Sequence, residues 1–468
     1  MHSQACQRFV SQVWDDSIIH TLTDYIRIPN KSPMFDPDWQ ANGHMAQAVK
    51  LIVEWCQNHA IEGMKLDVVQ AEGKTPLLFI DIPGSSSDTI LLYGHLDKQP
   101  EMTGWDADLG PWKPVLKGDK LYGRGAADDG YAVFASLTAI NALRAQHLPH
   151  ARCIIMIEAS EESGSSDLVY YIDVLKERIG TPSLIICLDS GCGNYDQLWL
   201  TTSLRGLVNG ILTIDVLKEG VHSGSASGIS PSCFRILRQL LSRIESETSG
   251  DILLSELFVD IPSVREQQAA HAVKILGNAI FDKLPFQLHV QPQTQDLREL
   301  ILNQTWRPAL SIIGVEGIPS IAHAGNVALP SLAVKLSMRL APTCDGKLAA
   351  QVLKNSLENH PPYQAKIHFD VADAGSGWNA PAESPWLTAA INEASSTYFG
   401  KEAVCLGEGG SIPFMGMLGK RYPKAQFLIT GVLGPGSNAH GPNEFLHIPT
   451  GKKLTCCIAE VIAKHYAS

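Results

Sequence analysis

The sequence has few of the features that mark membrane, secreted or nucleic-acid-binding proteins. Its apolar stretches are all shorter than the roughly 20 residues that a membrane-spanning helix needs, which argues against an integral membrane protein. Basic residues form no cluster, and 37 of them against 48 acidic residues give a net charge of −11. This balance argues against nucleic acid and anionic membrane surfaces as partners. The N-terminal residues lack the layout of a signal peptide.

Other patterns that would indicate a function are missing as well. No two of the ten cysteines are spaced as Cys-x-x-Cys, so a disulfide framework is not expected and the thiols should be reduced. Cys187 and Cys192 flank Asp189, but we interpret them as small core residues. Together with the missing signal peptide, this predicts a cytoplasmic protein. The serine-hydrolase motif Gly-x-Ser-x-Gly is also lacking, because the central residue of the segment 224–228 is Ala226.

The length and the hydrophobic pattern predict two domains. A chain of 468 residues is too long for one compact core. Over 1–204 and 378–468, short apolar runs alternate with amphipathic helices, which is typical of an α/β domain with a mixed, partly parallel sheet flanked by helices. Residues 205–377 instead show half-buried strands and helices, which predicts an inserted α+β lid or dimerisation domain. We expect the runs at 184–188 and 427–432 to lie in one sheet.

Acidic and histidine residues follow the apolar runs at several points. His95 and Asp97 come directly after the run Thr89–Tyr93 and share one face of extended backbone. Ligands of α/β sheets bind outside the carboxyl ends of the strands, so such side chains should converge. The candidate metal ligands are His95, Asp128, Glu162, Asp189 and His440. Two imidazoles and three carboxylates suit two divalent ions that share one carboxylate: zinc is expected, with manganese and cobalt as alternatives.

The segment Gly123–Gly130 superficially resembles a dinucleotide-binding loop. It lacks the third glycine of G-x-G-x-x-G and does not follow a long buried strand. We interpret it as a tight turn that directs Asp128 towards a metal, with glycines that allow close approach of the backbone.

Taken in order, the motifs resemble those of the metallopeptidase family that includes carnosinase, cytosolic non-specific dipeptidase, glutamate carboxypeptidase and succinyl-diaminopimelate desuccinylase. The matching segments are Gly-His-Leu-Asp at 94–97, Gly-Arg-Gly-Ala-Ala-Asp at 123–128, Glu-Glu at 161–162, Asp189, His-Ser-Gly at 222–224, Met-Arg-Leu at 338–340, Gly-Gly-Ser-Ile-Pro at 409–413 and Asn-Ala-His at 438–440. The chain departs from the family at Gly130, where a lysine commonly follows the Asp-Asp pair. This departure affects loop contacts and none of the expected ligands.

The resemblance implies a role for each residue of the metal site. One ion would be bound by His95 and Asp189, the other by Glu162 and His440, and Asp128 would bridge the two. In addition, Asp97 would bond to the second ring nitrogen of the first histidine and fix its tautomer. Glu161 would be the general base that activates a metal-bridged water and later protonates the leaving amine. A cis peptide bond is expected between Asp128 and Asp129.

The resemblance also implies a homodimer that forms through the inserted domain. His222 would polarise the scissile carbonyl of the partner subunit's substrate, and Arg339 would bind the substrate carboxylate. Gly410 and Ser411 would contribute to substrate binding. The strand Leu207–Val216 is the expected exposed edge at which two subunits pair, because an uncovered edge invites pairing with another chain.

These features predict a metal-dependent dipeptidase of the carnosinase type that acts on dipeptides or short peptides. An N-acyl-amino-acid deacylase or a carboxypeptidase of the same family is the alternative, because the same water attack cleaves any amide beside a carboxylate. Outside the enzymes, the alternative is a degenerate peptidase fold that only binds ligand. The complete set of expected ligands, together with Glu161, argues against this last possibility.

Overall fold

The computed structural model describes residues 1–468 except for the side chain of Pro413, so the last residue of the motif at 409–413 lies outside the described side chains. Across the described residues the chain divides into two compact units. The first unit comprises residues 1–202, 380–406 and 417–468, and the second unit comprises residues 203–379 and 407–416. Residues 407–416 come late in the chain but cluster with the second unit, in which Nε of Arg205 donates to the carbonyl of Gly409 (3.0 Å).

A mixed sheet, six-stranded over the described residues, lies in the first unit. Its strands in spatial order are Lys65–Val69, Leu77–Ile82, Ala151–Glu158, Ser86–His95, Leu184–Cys187 and Gln426–Ile429. The last four run parallel to one another, and the other neighbours pair antiparallel. The predicted mixed, partly parallel sheet is confirmed. The runs at 184–188 and 427–432 lie in this one sheet, as predicted, and their strands pair directly with each other.

Helices flank this sheet and complete the core of the first unit. The main ones are Ser3–Val13, Ile19–Ile26, His44–Asn58, Ala132–Arg144, Ser166–Val174, Pro385–Tyr398 and Ile448–Ala467. One π-helical turn, Trp14–Ile18, lies between the first two of these helices, and there the ring N–H of Trp14 donates to Oγ1 of Thr455 at 3.1 Å inside the core. No helix in the described part of the chain is both long and apolar enough to cross a membrane.

A small antiparallel sheet in the first unit connects two segments that are distant in sequence. Its strands are Val115–Lys117, Lys120–Tyr122 and Phe445–His447, with Lys120–Tyr122 in the middle. The segment that carries Asp128 follows the middle strand, and the loop that carries His440 precedes the last one. Pairing of these strands therefore brings both segments to the same region of the first unit.

The second unit contains an antiparallel sheet, four-stranded over the described residues. Its spatial order is Ala309–Glu316, Ser331–Leu340, Gly206–Asp215 and Lys366–Gly375. Burial alternates along the two inner strands because one face packs on a core and the other does not. Helices Cys233–Leu241 and Gly346–Glu358 contribute to that core. Helices Ser263–Leu276 and Leu297–Thr305 precede the strand Ala309–Glu316 in the chain.

The predicted sheet edge is wrong. The strand Gly206–Asp215 pairs on one side with Ser331–Leu340 and on the other with Lys366–Gly375, so it is an inner strand. Alternating hydrophobicity indicates that one face of a strand is buried, but it contains no information about the neighbours along the sheet. The strands at the two ends of this sheet are Ala309–Glu316 and Lys366–Gly375.

Candidate two-metal site

The central strands hold two of the predicted ligands at their carboxyl ends. His95 is the last residue of Ser86–His95, and Asp189 follows Leu184–Cys187 by two residues. The apolar residues of both strands are buried, which fixes the backbone and therefore the direction of the side chains at the strand ends.

Asp128 lies in a buried turn beside the strand that ends at His95. The peptide bond between Asp128 and Asp129 is cis, which confirms the prediction. Gly94 allows this turn to approach the strand: a Cβ at that position would lie 2.6 Å from Oδ2 of Asp129 and 2.5 Å from Cβ of Ala132. Any larger residue beside His95 would push the acidic turn away.

The predicted ligands form two clusters with one member in common. In the first cluster, Nε2 of His95 lies 3.4 Å from Oδ1 of Asp128 and 3.8 Å from Oδ1 of Asp189. In the second, Nε2 of His440 lies 3.1 Å from Oδ2 of Asp128 and 3.4 Å from Oε2 of Glu162. The two carboxylate oxygens of Asp128 therefore face different clusters.

The donor atoms fit two divalent ions. Nε2 of His95 and Oε1 of Glu162 are buried and have no hydrogen-bond partner among the described residues. Zinc bonds nitrogen and oxygen at about 2.0–2.2 Å, so two ligands of a tetrahedral ion lie roughly 3.3–3.6 Å apart. The separations in both clusters, from 3.1 to 3.8 Å, are close to this value.

The charges of these side chains strongly perturb one another in the absence of cations. Burial alone would raise the pKa of Asp128, but contacts with His440 and His95 lower it below its usual range. Burial and the neighbouring charge of Asp128 raise the pKa of Glu162 to about 8. Burial opposes the charged form of His440, yet contact with Asp128 outweighs it and raises the pKa to about 9. Bound cations would compensate this concentration of negative charge.

Asp97 contacts both the ring of His95 and the turn that carries Glu161 and Glu162. Its two carboxylate oxygens accept the backbone N–H groups of Glu161 (3.1 Å) and Glu162 (3.0 Å). The ring Nδ1 of His95 lies 3.0 Å from the backbone carbonyl of Asp97 and 3.6 Å from its Oδ1. The ring therefore bonds to the carbonyl of Asp97, because the carboxylate already accepts the backbone N–H groups of Glu161 and Glu162.

Glu161 belongs to neither cluster of described side chains. Burial raises the pKa of its carboxyl group well above the usual value, and the negative charge of Asp189 raises it further. A carboxyl group with a raised pKa can both accept and return a proton near neutral pH.

Four predicted site residues are in the second unit and belong to neither of these two clusters of described side chains. His222 is exposed, and its Nδ1 accepts the N–H of Gly224 at 3.1 Å. Arg339 lies on the strand Ser331–Leu340, where burial lowers the pKa of its guanidinium. Gly410 and Ser411 follow Gly409 in the part of the second unit that comes late in the chain.

Sequence reasoning missed three polar residues that contact the predicted ligands or adjoin them in the chain. Nε2 of Gln99 donates to Oε2 of Glu162 at 2.5 Å. Arg124 and Glu444 form a buried ion pair, with 2.7 Å between Nη1 and Oε2. Each of the three lies four residues from a predicted ligand in sequence. This proximity was the only feature of the sequence that could have indicated their place near the site.

Comparison with known families gives a match over most of the chain. The sequence profile described as Peptidase family M20/M25/M40 matches residues 91–464. Among characterised proteins, a cysteinylglycine-S-conjugate dipeptidase from Corynebacterium striatum is 24% identical over 82% of this chain and 83% of its own length. The Beta-Ala-His dipeptidase of Homo sapiens is 28% identical over 76% of this chain and 70% of its own length.

Two solved structures have a similar fold. The di-peptidase Dug1p from Saccharomyces cerevisiae superposes with a TM-score of 0.81 at 22% identity, and the comparison covers 100% of this chain and 99% of that one. Human carnosine dipeptidase 1 gives a TM-score of 0.81 at 21% identity with the same coverage.

Proposed function

This chain belongs to peptidase family M20/M25/M40, and we propose that it hydrolyses the peptide bond of dipeptides or short peptides with the help of two divalent metal ions. The observation that supports this proposal best is the pair of ligand clusters that share Asp128. The dipeptidase relatives from Corynebacterium striatum and Homo sapiens support dipeptides as the substrate class.

The first unit supplies the metal ligands in this proposal. His95 and Asp189 would hold one ion, Glu162 and His440 would hold the other, and Asp128, which belongs to both clusters, would contribute to each. When bound, two such ions polarise the scissile carbonyl and lower the pKa of the attacking water. Zinc is the proposed ion, because the mixed nitrogen and oxygen donors and their spacing suit it; manganese and cobalt accept the same donors.

Glu161 is the proposed general base and acid. Its backbone N–H is held by Asp97, and its carboxyl group has a raised pKa because it is buried close to Asp189. It takes the proton of the attacking water and then transfers it to the leaving amine. Asp97 positions both the general base and a metal ligand: its carboxylate holds the turn of Glu161, and its carbonyl orients the ring of His95.

We assign substrate binding to the second unit. Residues 205–377 form the proposed lid and dimerisation domain, inserted between the catalytic parts 1–204 and 378–468. Arg339 binds the substrate carboxylate, and Gly410 and Ser411 contribute backbone and hydroxyl groups. His222, which is exposed and keeps its Nε2 outside the bond to Gly224, polarises the scissile carbonyl.

A homodimer is part of the proposal, with a corrected interface. The strand Ala309–Glu316 stands at one end of the sheet, and its side chains Ile312, Ile313 and Val315 are about half exposed. An apolar strand with an open edge favours pairing with another chain, and a second copy supplies the same edge. His222 then acts in the active site of the partner subunit.

The cytoplasm is the proposed location. None of the ten described cysteines forms a disulfide bond, and eight of them are buried among core residues. Such thiols persist in a reducing compartment, whereas oxidising compartments favour disulfides.

A substrate panel tests the proposed activity. Purified enzyme should hydrolyse unblocked dipeptides at least about tenfold faster, in kcat/KM, than N-acetyl and N-succinyl amino acids, a difference of about 1.4 kcal/mol in transition-state stabilisation. Preference for the acylated amino acids would assign the chain to the deacylases of the family instead.

A further inference from the structure

An ion pair connects the two segments that carry Asp128 and His440. Arg124 and Glu444 are at most 1% exposed, and Nη1 lies 2.7 Å from Oε2. The two residues are separated by 320 positions in sequence, yet each lies four residues from one of the proposed ligands. Neither residue belongs to a ligand cluster of the described side chains.

Backbone and side-chain bonds of this pair form one continuous connection. Nη2 of Arg124 donates to the carbonyl of Gly441 at 2.7 Å, directly after His440. The other carboxylate oxygen of Glu444 accepts the N–H of Gly125 at 2.9 Å, and its carbonyl accepts the N–H of Gly123 at 3.0 Å. These bonds extend the pairing between the strands Lys120–Tyr122 and Phe445–His447 towards the metal site.

The two histidine ligands differ in how firmly they are held. His95 ends a buried central strand and is 1% exposed. His440 lies on a loop with a positive φ of 63°, and its side chain is 56% exposed. No regular strand or helix fixes its direction, so the bonds of the neighbouring residues 441 and 444 contribute directly to holding this loop near Asp128.

The energetic balance of the pair also indicates a role beyond stability. Burying two charges costs desolvation free energy that their attraction repays only with good geometry, and an apolar pair of similar size is often as stable. A buried ion pair whose side chains also bond to two backbone groups, the carbonyl of Gly441 and the N–H of Gly125, instead fixes one relative position of two segments.

We propose that Arg124 and Glu444 are positioning residues that hold His440 beside Asp128 and thereby set the affinity of the Glu162–His440 metal site. They contact neither ion nor substrate in this role. The inference rests on the proposed two-metal function. It adds a determinant of the affinity for the ion at the Glu162–His440 site, which is called the second ion below.

Paired substitutions separate positioning from stability. Arg124→Met leaves Glu444 buried without its partner and should lower the unfolding temperature. Adding Glu444→Leu removes the second charge, so the double variant should regain most of that loss. Its second metal ion should nevertheless bind about 10–100-fold more weakly, because loss of an outer-shell partner typically has this effect. The first ion should bind within about twofold of wild type.

Calorimetric titration of enzyme from which a chelator has removed the metal, with zinc or manganese as titrant, measures the affinity for each of the two ions without any substrate. Asp189→Asn and Glu162→Gln each remove a ligand of one cluster and so identify which binding step belongs to which cluster. Arg152→Met is the matched control, since it breaks a bidentate pair with Asp81 near the start of a strand whose other end, Glu158, pairs with His95. It should lower the unfolding temperature and leave both binding steps unchanged.

The outcomes are distinct. A selective loss of the second ion in the double variant, with a smaller loss in Arg124→Lys, supports the positioning role. If both ions bind the double variant as tightly as wild type, or if the affinities of both ions fall equally, the positioning role is wrong. A wild-type chain that binds fewer than two ions overturns the two-ion function itself and this inference with it.

Discussion

The two units of the chain hold their polar residues in different ways. In the first unit, His95 is buried at the end of a parallel strand of the mixed sheet and Asp128 in the turn beside it, so both are held by strand pairing and by the surrounding backbone. In the second unit, His222 is exposed, and the strand Ala309–Glu316 presents apolar side chains at an open sheet edge. The first arrangement suits chemistry that needs fixed geometry, and the second suits binding of substrates and of another subunit.

The largest expected effect comes from the proposed base in the first unit. Glu161→Gln removes the proton acceptor but keeps the size of the side chain, so kcat should fall by about 10²–10⁴-fold or more. Both metal ions should remain bound, as measured by elemental analysis, because Glu161 is in neither cluster of described side chains. A variant that retains more than half of its activity would show that Glu161 is not the base.

A comparable loss in the second unit should be reversible by mixing subunits. His222→Ala should lower kcat by about 10²–10³-fold, the usual cost of losing a group that stabilises an oxyanion. Mixed with Glu161→Gln subunits under exchange, half of the dimers contain both subunits, and each has one complete site. About one quarter of wild-type activity should therefore return. Exchange without recovery would show that His222 does not act in the partner's site.

An edge substitution tests whether that recovery depends on dimers. Val315→Lys places a charge on the exposed strand and should block pairing with a second copy. Sedimentation should then show monomers, and the recovery in mixed subunits should disappear, while the unfolding temperature changes little. If the Val315→Lys variant remains a dimer, the interface lies elsewhere on the chain.

The packing difference between the units predicts a smaller effect on stability. Gly94→Ala places a Cβ 2.5–2.6 Å from atoms of the helix and the acidic turn, and should cost about 1–3 kcal/mol of unfolding free energy. Gly314→Ala is the matched control on the open strand of the second unit, where the nearest atom is 3.4 Å away, and should change stability by less than about 0.5 kcal/mol. Denaturant unfolding measures the change in unfolding free energy of both variants. Equal changes would show that the two units do not differ in packing at these positions.

The pH dependence of the metal-free chain is the mildest test. The raised pKa of His440, about 9, means that its protonated ring stabilises the fold fully below about pH 6.5 and that this contribution is lost as the pH rises through 9. The raised pKa of Glu162, about 8, acts in the same direction. The unfolding temperature without metal should therefore fall between about pH 6.5 and 9.

Added zinc should oppose this fall, because metal binding requires deprotonated ligands and strengthens over the same interval. His440→Gln should flatten the pH profile of the metal-free chain. A flat profile in the unsubstituted chain would show that the two ligands do not interact as described.

Local sequence patterns predicted the first unit better than the second. Strands buried on both faces produce continuous apolar runs, such as Cys153–Ile157, and these are visible without knowledge of their neighbours. The edge strand Lys366–Gly375 alternates polar and apolar residues and is mostly exposed, so its run was not recognised. Which strand is at an edge depends on pairing, which no single segment specifies.

The candidate site shows the same limit. The ligands at strand ends, such as His95 and Asp189, were identifiable because each follows an apolar run. The contact of Asp97 with the ring of His95 was expected from the family resemblance, but its bonds to the N–H groups of Glu161 and Glu162 depend on the turn that those residues form. The ion pair of Arg124 with Glu444 joins residues 320 positions apart, and such a contact leaves no local pattern.

Metal reconstitution tests the central claim most directly. Chelated enzyme should be inactive, and adding zinc, manganese or cobalt should restore dipeptide hydrolysis as the second ion binds, with two ions per subunit at full activity. Elemental analysis and initial rates on the same samples give both quantities. Full dipeptide hydrolysis in the chelated enzyme, or full activity with a single ion, would contradict a two-metal dipeptidase.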